Sequence, residues 1–202
     1  NSYINLYGNP CATLFANGKG DVHIKSQSSK QKYIGIIYLT NEGDVYISDL
    51  YELSERIIIT NKGNVFIDSV NLLSNGITIN NEGNVYLSNI KSIEGKITFA
   101  NSGNVVISKS PKLYIDGPIF QNYKDVIISI EKDTQIIAGT CFKQSGGLKI
   151  IGGESLIIQN TKIENSGTLE LKDIKNLYPK NNSIISNKLN AYLYSLENII
   201  GY

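Results

Sequence analysis

Tyr46, Phe66 and Tyr86 are aromatic residues spaced 20 positions apart. Rings recurring at one interval either brace parallel strands as a ladder or form an apolar surface for sugar rings or a partner protein. These three are the candidate binding residues of the chain. Acid–base candidates are sparser. Glycoside hydrolysis needs a proton donor and a second carboxylate at a defined separation. Asp68 and Glu170 occupy comparable outward strand positions, and neither has a second carboxylate beside it in register. Asp21 and Asp44 stand where the equivalent positions carry Asn64, Asn84 and Asn104, which is turn chemistry. An eliminase would need an arginine beside calcium-binding carboxylates, and Arg56 is the only arginine. His23 is the only histidine and reads as a surface residue, whereas a metal site needs several converging ligands. No catalytic residue, metal or cofactor is assigned, and the chain is read as a non-enzyme.

What must position these residues is a repeat. The phrase Asn41-Glu-Gly-Asp-Val-Tyr-Ile-Ser48 returns as Asn61-Lys-Gly-Asn-Val-Phe-Ile-Asp68. It returns again as Asn81-Glu-Gly-Asn-Val-Tyr-Leu-Ser88 and Asn101-Ser-Gly-Asn-Val-Val-Ile-Ser108. A fixed period of this size is the signature of a solenoid. The first strand residue of each unit serves as an anchor: Val22, Val45, Val65, Val85, Val105, Val126, Leu148, Leu169 and Ala191, at intervals of 20 to 23. Apolar residues recur at offsets 0, 2, 5, 8, 12 and 14, as in Val45, Ile47, Leu50, Leu53, Ile57 and Ile59.

Pairs two apart are strand alternation, and intervals of three and four are corners where the chain again points inward. The β-branched content favours strands, and the spacing lacks the 3.6 period of a helix. Identical phrases one unit apart demand parallel register. The chain therefore predicts an all-β, right-handed parallel β-helix of about nine coils of 20–23 residues. Each coil has two main strands and a shorter third side, and the rod is ~43 Å long. One domain spans 1–202, a piece of a longer rod: 1–16 a partial coil, 17–177 regular coils, 178–202 a less regular last coil with a short helix as the alternative.

Gly43, Gly63, Gly83, Gly103 and Gly167 lie two residues before the anchor, where a positive φ is expected. Asn41, Asn61, Asn81, Asn101, Asn122, Asn165 and Asn187 lie four before it, placed to bond along the rod or to the turn backbone. Residues 26–35 lengthen one coil and are expected to protrude as a loop. Residues 109–118 lack the usual corner residues, and such departures carry specificity more often than regular coils do.

A net charge of +1 implies no attraction to nucleic acid. No apolar run reaches the length of a membrane span, so no membrane insertion is expected. No signal peptide and no methionine are present, which reads as a mature protein or an excised fragment. Cys11 and Cys141 are 130 residues apart, about six coils and ~30 Å along a straight rod, so both thiols are expected to be free.

The segment Ile77 to Leu87, with its Ile-Thr-Ile and Asn-x-Gly-Asn-Val phrases, resembles the roughly 20-residue repeats of filamentous-haemagglutinin-like exoproteins. The likeness runs over residues 14 to 110 and more loosely to 202. The resemblance implies a secreted bacterial surface fibre exported by two-partner secretion. It implies an adhesin or stalk involved in adhesion or contact-dependent delivery, and it carries no catalytic residues. Implied partners are a receptor or glycan on a host or neighbouring cell, and an outer-membrane transporter during export. The Asn-Pro-Asn phrases of that family's secretion domain are missing, and only Asn9-Pro10-Cys11 approaches them. Two other readings are a carbohydrate-active β-helix enzyme or phage tailspike part, and a spacer without a ligand.

Overall fold

A strand that buries every second residue needs a neighbour to take its hydrogen bonds. In this chain the neighbour is the next copy of the same phrase. The computed structural model describes residues 2–6, 13–27, 30–137 and 140–200, and every strand pairing reported among them is parallel. Val45 pairs with Val65, Val65 with Val85, Val85 with Val105, and Val105 with Val126. The file continues through Leu148, Leu169 and Ala191, and backwards to Val22 and Ser2. The protein is a parallel β-solenoid of about nine turns, with no helix among the described residues.

Each coil has three sides. In the coil opened by Val85 they are Val85–Ser88, Ser92–Glu94 and Ile97–Asn101. The six apolar columns point inward as expected in the regular coils, where Val65, Ile67, Val70, Leu73 and Ile79 are all fully buried. In the coil opened by Ala191 the residues keep register, but Leu193 and Ile199 are exposed. Inside the third side, Phe99, Phe120 and Phe142 stack on one another with ring centroids 4.9 and 4.8 Å apart. The ring separation thereby matches the inter-coil spacing, so one ring per coil continues the stack.

The expected loop over 26–35 is corrected in part. Lys32–Asn41 is a strand whose first residues pair with Glu52, Leu53, Ser54 and Glu55 of the next coil. Tyr33 takes the column of Leu53 and is 1 % exposed, so apolar burial holds this segment against the rod. The extra length falls between Ser26 and Lys32, where residues 28–29 lie outside the described residues. Residues 178–200 form a further coil of parallel strands, not a helix, with Ile184–Asn187 and Ala191–Tyr194 in register with the coil before.

The corner glycines also need correction. Positive φ occurs at Gly76, Gly95, Gly117, Gly152 and Gly153, not at Gly43, Gly63, Gly83, Gly103 or Gly167. What the latter positions require is close approach. A Cβ on Gly83 would lie 2.2 Å from the Gly63 carbonyl oxygen, and one on Gly167 2.0 Å from that of Gly146. The left-handed turn sits four residues after the anchor instead. Asp49, Ser69, Asn89, Lys109, Asp173 and Ser195 there have φ of 53 to 60°, and Gly152 occupies the same corner with φ 84°. Short polar side chains tolerate this region better than most residues.

Two stability measurements follow. Gly83→Ala forces backbone apart and is expected to cost at least ~3 kcal/mol, visible as a large drop in Tm. Gly18→Ala, whose new Cβ would meet only Asn41 Oδ1 at 3.4 Å, should leave Tm nearly unchanged. Thr134 stands in an apolar file between Leu113 and Leu156, and its buried Oγ1 has no hydrogen-bond partner among the described residues. Thr134→Val keeps the shape, removes the unsatisfied hydroxyl, and should raise stability by about 1–2 kcal/mol in chemical denaturation.

Candidate functional site: an outward aromatic ladder

The residue after each anchor points away from the core. In successive coils these are Tyr3, His23, Tyr46, Phe66 and Tyr86, brought together by the parallel register. Their rings stack with centroids 4.7, 4.6, 4.8 and 5.0 Å apart and planes within 11° of parallel. The three predicted residues are thus joined in one ladder, which extends two rings further than expected. His23, read from sequence as an isolated surface residue, lies between the faces of Tyr3 and Tyr46. Val106 and Ile127 continue the file beyond Tyr86.

This geometry has a chemical consequence. Interior rings spend both faces on their neighbours, so they present mainly their edges to a partner. A partner would therefore lie along the ladder, against a strip of ring edges, instead of seating one sugar on one exposed face. The Tyr46 hydroxyl donates to Asp44 Oδ2 at 3.3 Å. Partial burial, together with the Asp44 charge and hydrogen bond, pushes this phenol above its ordinary value.

The bed beneath the ladder is fixed by a second file. Asp21, Asp44, Asn64, Asn84, Asn104 and Asp125 each accept, through Oδ1, a backbone N–H of the next coil at 2.7 to 3.2 Å. This confirms the turn role expected for Asp21 and Asp44. The buried asparagines four before the anchor choose mainly the turn backbone. Asn61, Asn81 and Asn101 donate to the carbonyls of Asn64, Asn84 and Asn104 at 3.2, 3.1 and 3.0 Å. Only Asn165 and Asn187 bond side chain to side chain along the rod among these seven, at 2.8 Å.

Beside the ladder, Asp68 accepts hydrogen bonds from Ser88 Oγ, from Ser69 Oγ at 2.9 Å and from Asn89 Nδ2 at 2.7 Å. Partial burial raises its carboxyl, but these three donors and the Lys109 charge outweigh it and hold the carboxyl below its ordinary value.

A different arrangement lies nearer the other end of the same face. Asp125 Oδ2 takes Lys149 Nζ at 2.8 Å, and Tyr194 donates its hydroxyl to Glu170. These residues line a hollow of about 520 Å³, open because Gly147 and Thr168 stand where longer Asn side chains stand elsewhere. The Lys149 hydrogen bond to Asp125 raises the ammonium. At Asp125, partial burial acts upwards but is outweighed by Lys149 and the Gly147 N–H, so the carboxyl is lowered. Sequence reasoning passed over this pairing because it joins two different files.

No group of three or more His, Cys, Asp or Glu residues able to hold a metal occurs among the described residues. No helix among them is long and apolar enough to cross a membrane. Cys141 is free and half-buried, and burial pushes its thiol up, while Cys11 lies outside the described residues. No protein-family model matches this chain, and no similar curated protein or solved structure was found.

The sign of the Asp68 effect gives a pH test. A depressed carboxyl stabilises the fold above its unfolded pKa and loses that contribution as pH falls through its lower folded value. Asp68→Asn should flatten the fall of Tm below about pH 4. At neutral pH the loss should stay within about 1 kcal/mol, because solvent screens much of the carboxylate.

Proposed function

We propose that this chain is a segment of a secreted bacterial surface fibre, an adhesin or stalk that carries contacts away from the cell. The observation that supports this reading is the five-ring outward ladder on an unbroken stack of coils. A solenoid lengthens by adding coils without altering those already in place, which suits a spacer. An apolar strip running along its side suits lateral contact with an extended partner, a receptor or a glycan chain. Two-partner export through an outer-membrane transporter belongs to the same reading and rests on the repeat phrase.

A second reading, a carbohydrate-active enzyme or phage tailspike part, draws on the Asp125, Lys149, Glu170 and Tyr194 hollow. Two carboxylates, an ammonium and a phenol on four successive coils, with the carboxylates two coils apart, are the kinds of groups that acid–base cleavage uses.

The experiment is adhesion of beads coated with the purified chain to cells and to arrayed glycans. The variant carrying Tyr46→Ser, Phe66→Ser and Tyr86→Ser should lose most of that adhesion while keeping the circular dichroism of a β-solenoid. Undiminished adhesion would remove the ladder from the reading and leave a stalk. Release of reducing or unsaturated ends from polysaccharides would instead establish the enzyme.

A further inference from the structure

Three local rules of this solenoid are broken within a few residues of one another. Lys109 occupies the left-handed corner at φ 53°, where five of the other coils place Asp, Ser or Asn. A lysine has no short polar group to bond its own turn, so nothing local selects it there. Ser110 then enters the inward file that holds Leu50, Val70 and Ile90, and is 1 % exposed. Its Oγ accepts the Ile90 N–H at 3.0 Å and donates to Ser108 O at 3.1 Å. Finally the strand Val105–Asp116 slips twice against the following strand Val126–Ile137, between Ile107 and Ser110 and between Ser110 and Lys112. Its offset from the preceding coil changes from 20 residues at Ser108 to 22 at Tyr114. Bulges of this kind re-aim side chains.

What they re-aim is charge. Lys91, Lys109 and Lys112 line one hollow of about 320 Å³ together with Asn89, Ile90 and Pro111. Eight other lysines of the protein form ion pairs, but none of these three does among the described residues. The acids nearby are otherwise placed. Asp68 already accepts three side-chain hydrogen bonds, and Asp133 stands at the register position of Lys112 without forming an ion pair. Ser110 offsets its burial with two backbone hydrogen bonds and the Lys109 charge acts on Asp68, yet no acid pairs directly with any of the three ammonium groups among the described residues.

We propose that this hollow binds a phosphate monoester, with the three ammonium groups on the phosphoryl oxygens and the carbon body of the ligand against Ile90 and Pro111. The cation type argues for that anion. Planar carboxylates are recognised best by the fork of arginine, whereas lysine acts as a point charge suited to a tetrahedral oxyanion. Three cations also match a dianion better than a carboxylate. The volume lies at the lower end for a ligand site, enough for one sugar or headgroup unit and too small for a polymer segment. The proposal goes beyond the adhesive reading and does not rest on the aromatic ladder.

The shared chemistry has two sources, a phosphorylated sugar or a phospholipid headgroup, and the test separates them. Isotope-labelled protein is titrated with glucose 6-phosphate and, as the uncharged control, with glucose. In parallel it is mixed with phosphatidic acid vesicles and with phosphatidylcholine vesicles. The backbone amides of Asn89, Lys91, Lys109 and Lys112 should shift with a phosphate-bearing probe and stay still with its neutral counterpart. Response to glucose 6-phosphate supports the site with a sugar source, and response to phosphatidic acid alone supports it with a lipid source. The variant with Lys91→Gln, Lys109→Asn and Lys112→Gln should bind at least about tenfold more weakly. Its Tm should hold, because Asn is at home in the left-handed corner. Binding should also weaken below about pH 6, where a phosphate monoester loses its second charge. If neither phosphate-bearing probe moves these amides, or if the triple variant binds as tightly as the parent, the proposal is overturned.

Discussion

Backbone hydrogen bonds between successive coils run along the axis of the rod, and the rest of the structure depends on their register. Parallel strands one coil apart place every side chain above its counterpart. Hydrophobic columns, ring stacks and amide ladders are therefore one fact expressed by different residue types. A single coil buries too few apolar side chains to offset the entropy of ordering some 20 residues. Stability comes from contact with the coils above and below, as in other repeat proteins.

The chain turns three corners per coil, each by a different physical device. Four residues after the anchor, a left-handed residue with a short polar side chain makes the bend in most coils. At the second corner, Gly76, Gly95 and Gly117 take positive φ, with Glu55 doing so at a cost in the coil before. At the third, glycines pack backbone against backbone, and Asp or Asn side chains of one coil capture the amides of the next. Sheet surfaces between the corners are left for display. Rings fill the outward file in five coils, after which Val106, Ile127, Lys149 and Glu170 follow.

Much of this was legible in the residues. The period fixed the register, so all nine anchors and the six buried columns could be written down from spacing alone. Tyr46, Phe66 and Tyr86 could be stacked on paper for the same reason. The misreadings have physical causes. Glycine is selected both by positive φ and by close approach, and a one-letter code does not distinguish them at Gly63 or Gly83. His23 was weighed as a lone titratable group, although its place in the file already put it between two tyrosines. The polar run around residue 30 concealed that Tyr33 keeps an inward column. The lysine hollow was missed because Lys91, Lys109 and Lys112 occupy different files, and the repeat was read one file at a time. Only the departure of residues 109–118 from the corner pattern marked that segment.

The file of Asp and Asn side chains that ties each coil to the next has a mechanical meaning. Pulling on the two ends of the rod loads its inter-coil bonds in series, so the whole is as strong as its weakest joint. From Asp21 to Asp125 one file supplies a side-chain strut at each joint. At Gly147 that file ends for want of a side chain, and Asn165, Asn176 and Ser183 brace the next joint instead. A tether made this way hands its load from one file of struts to others at Gly147, three coils beyond the last stacked ring.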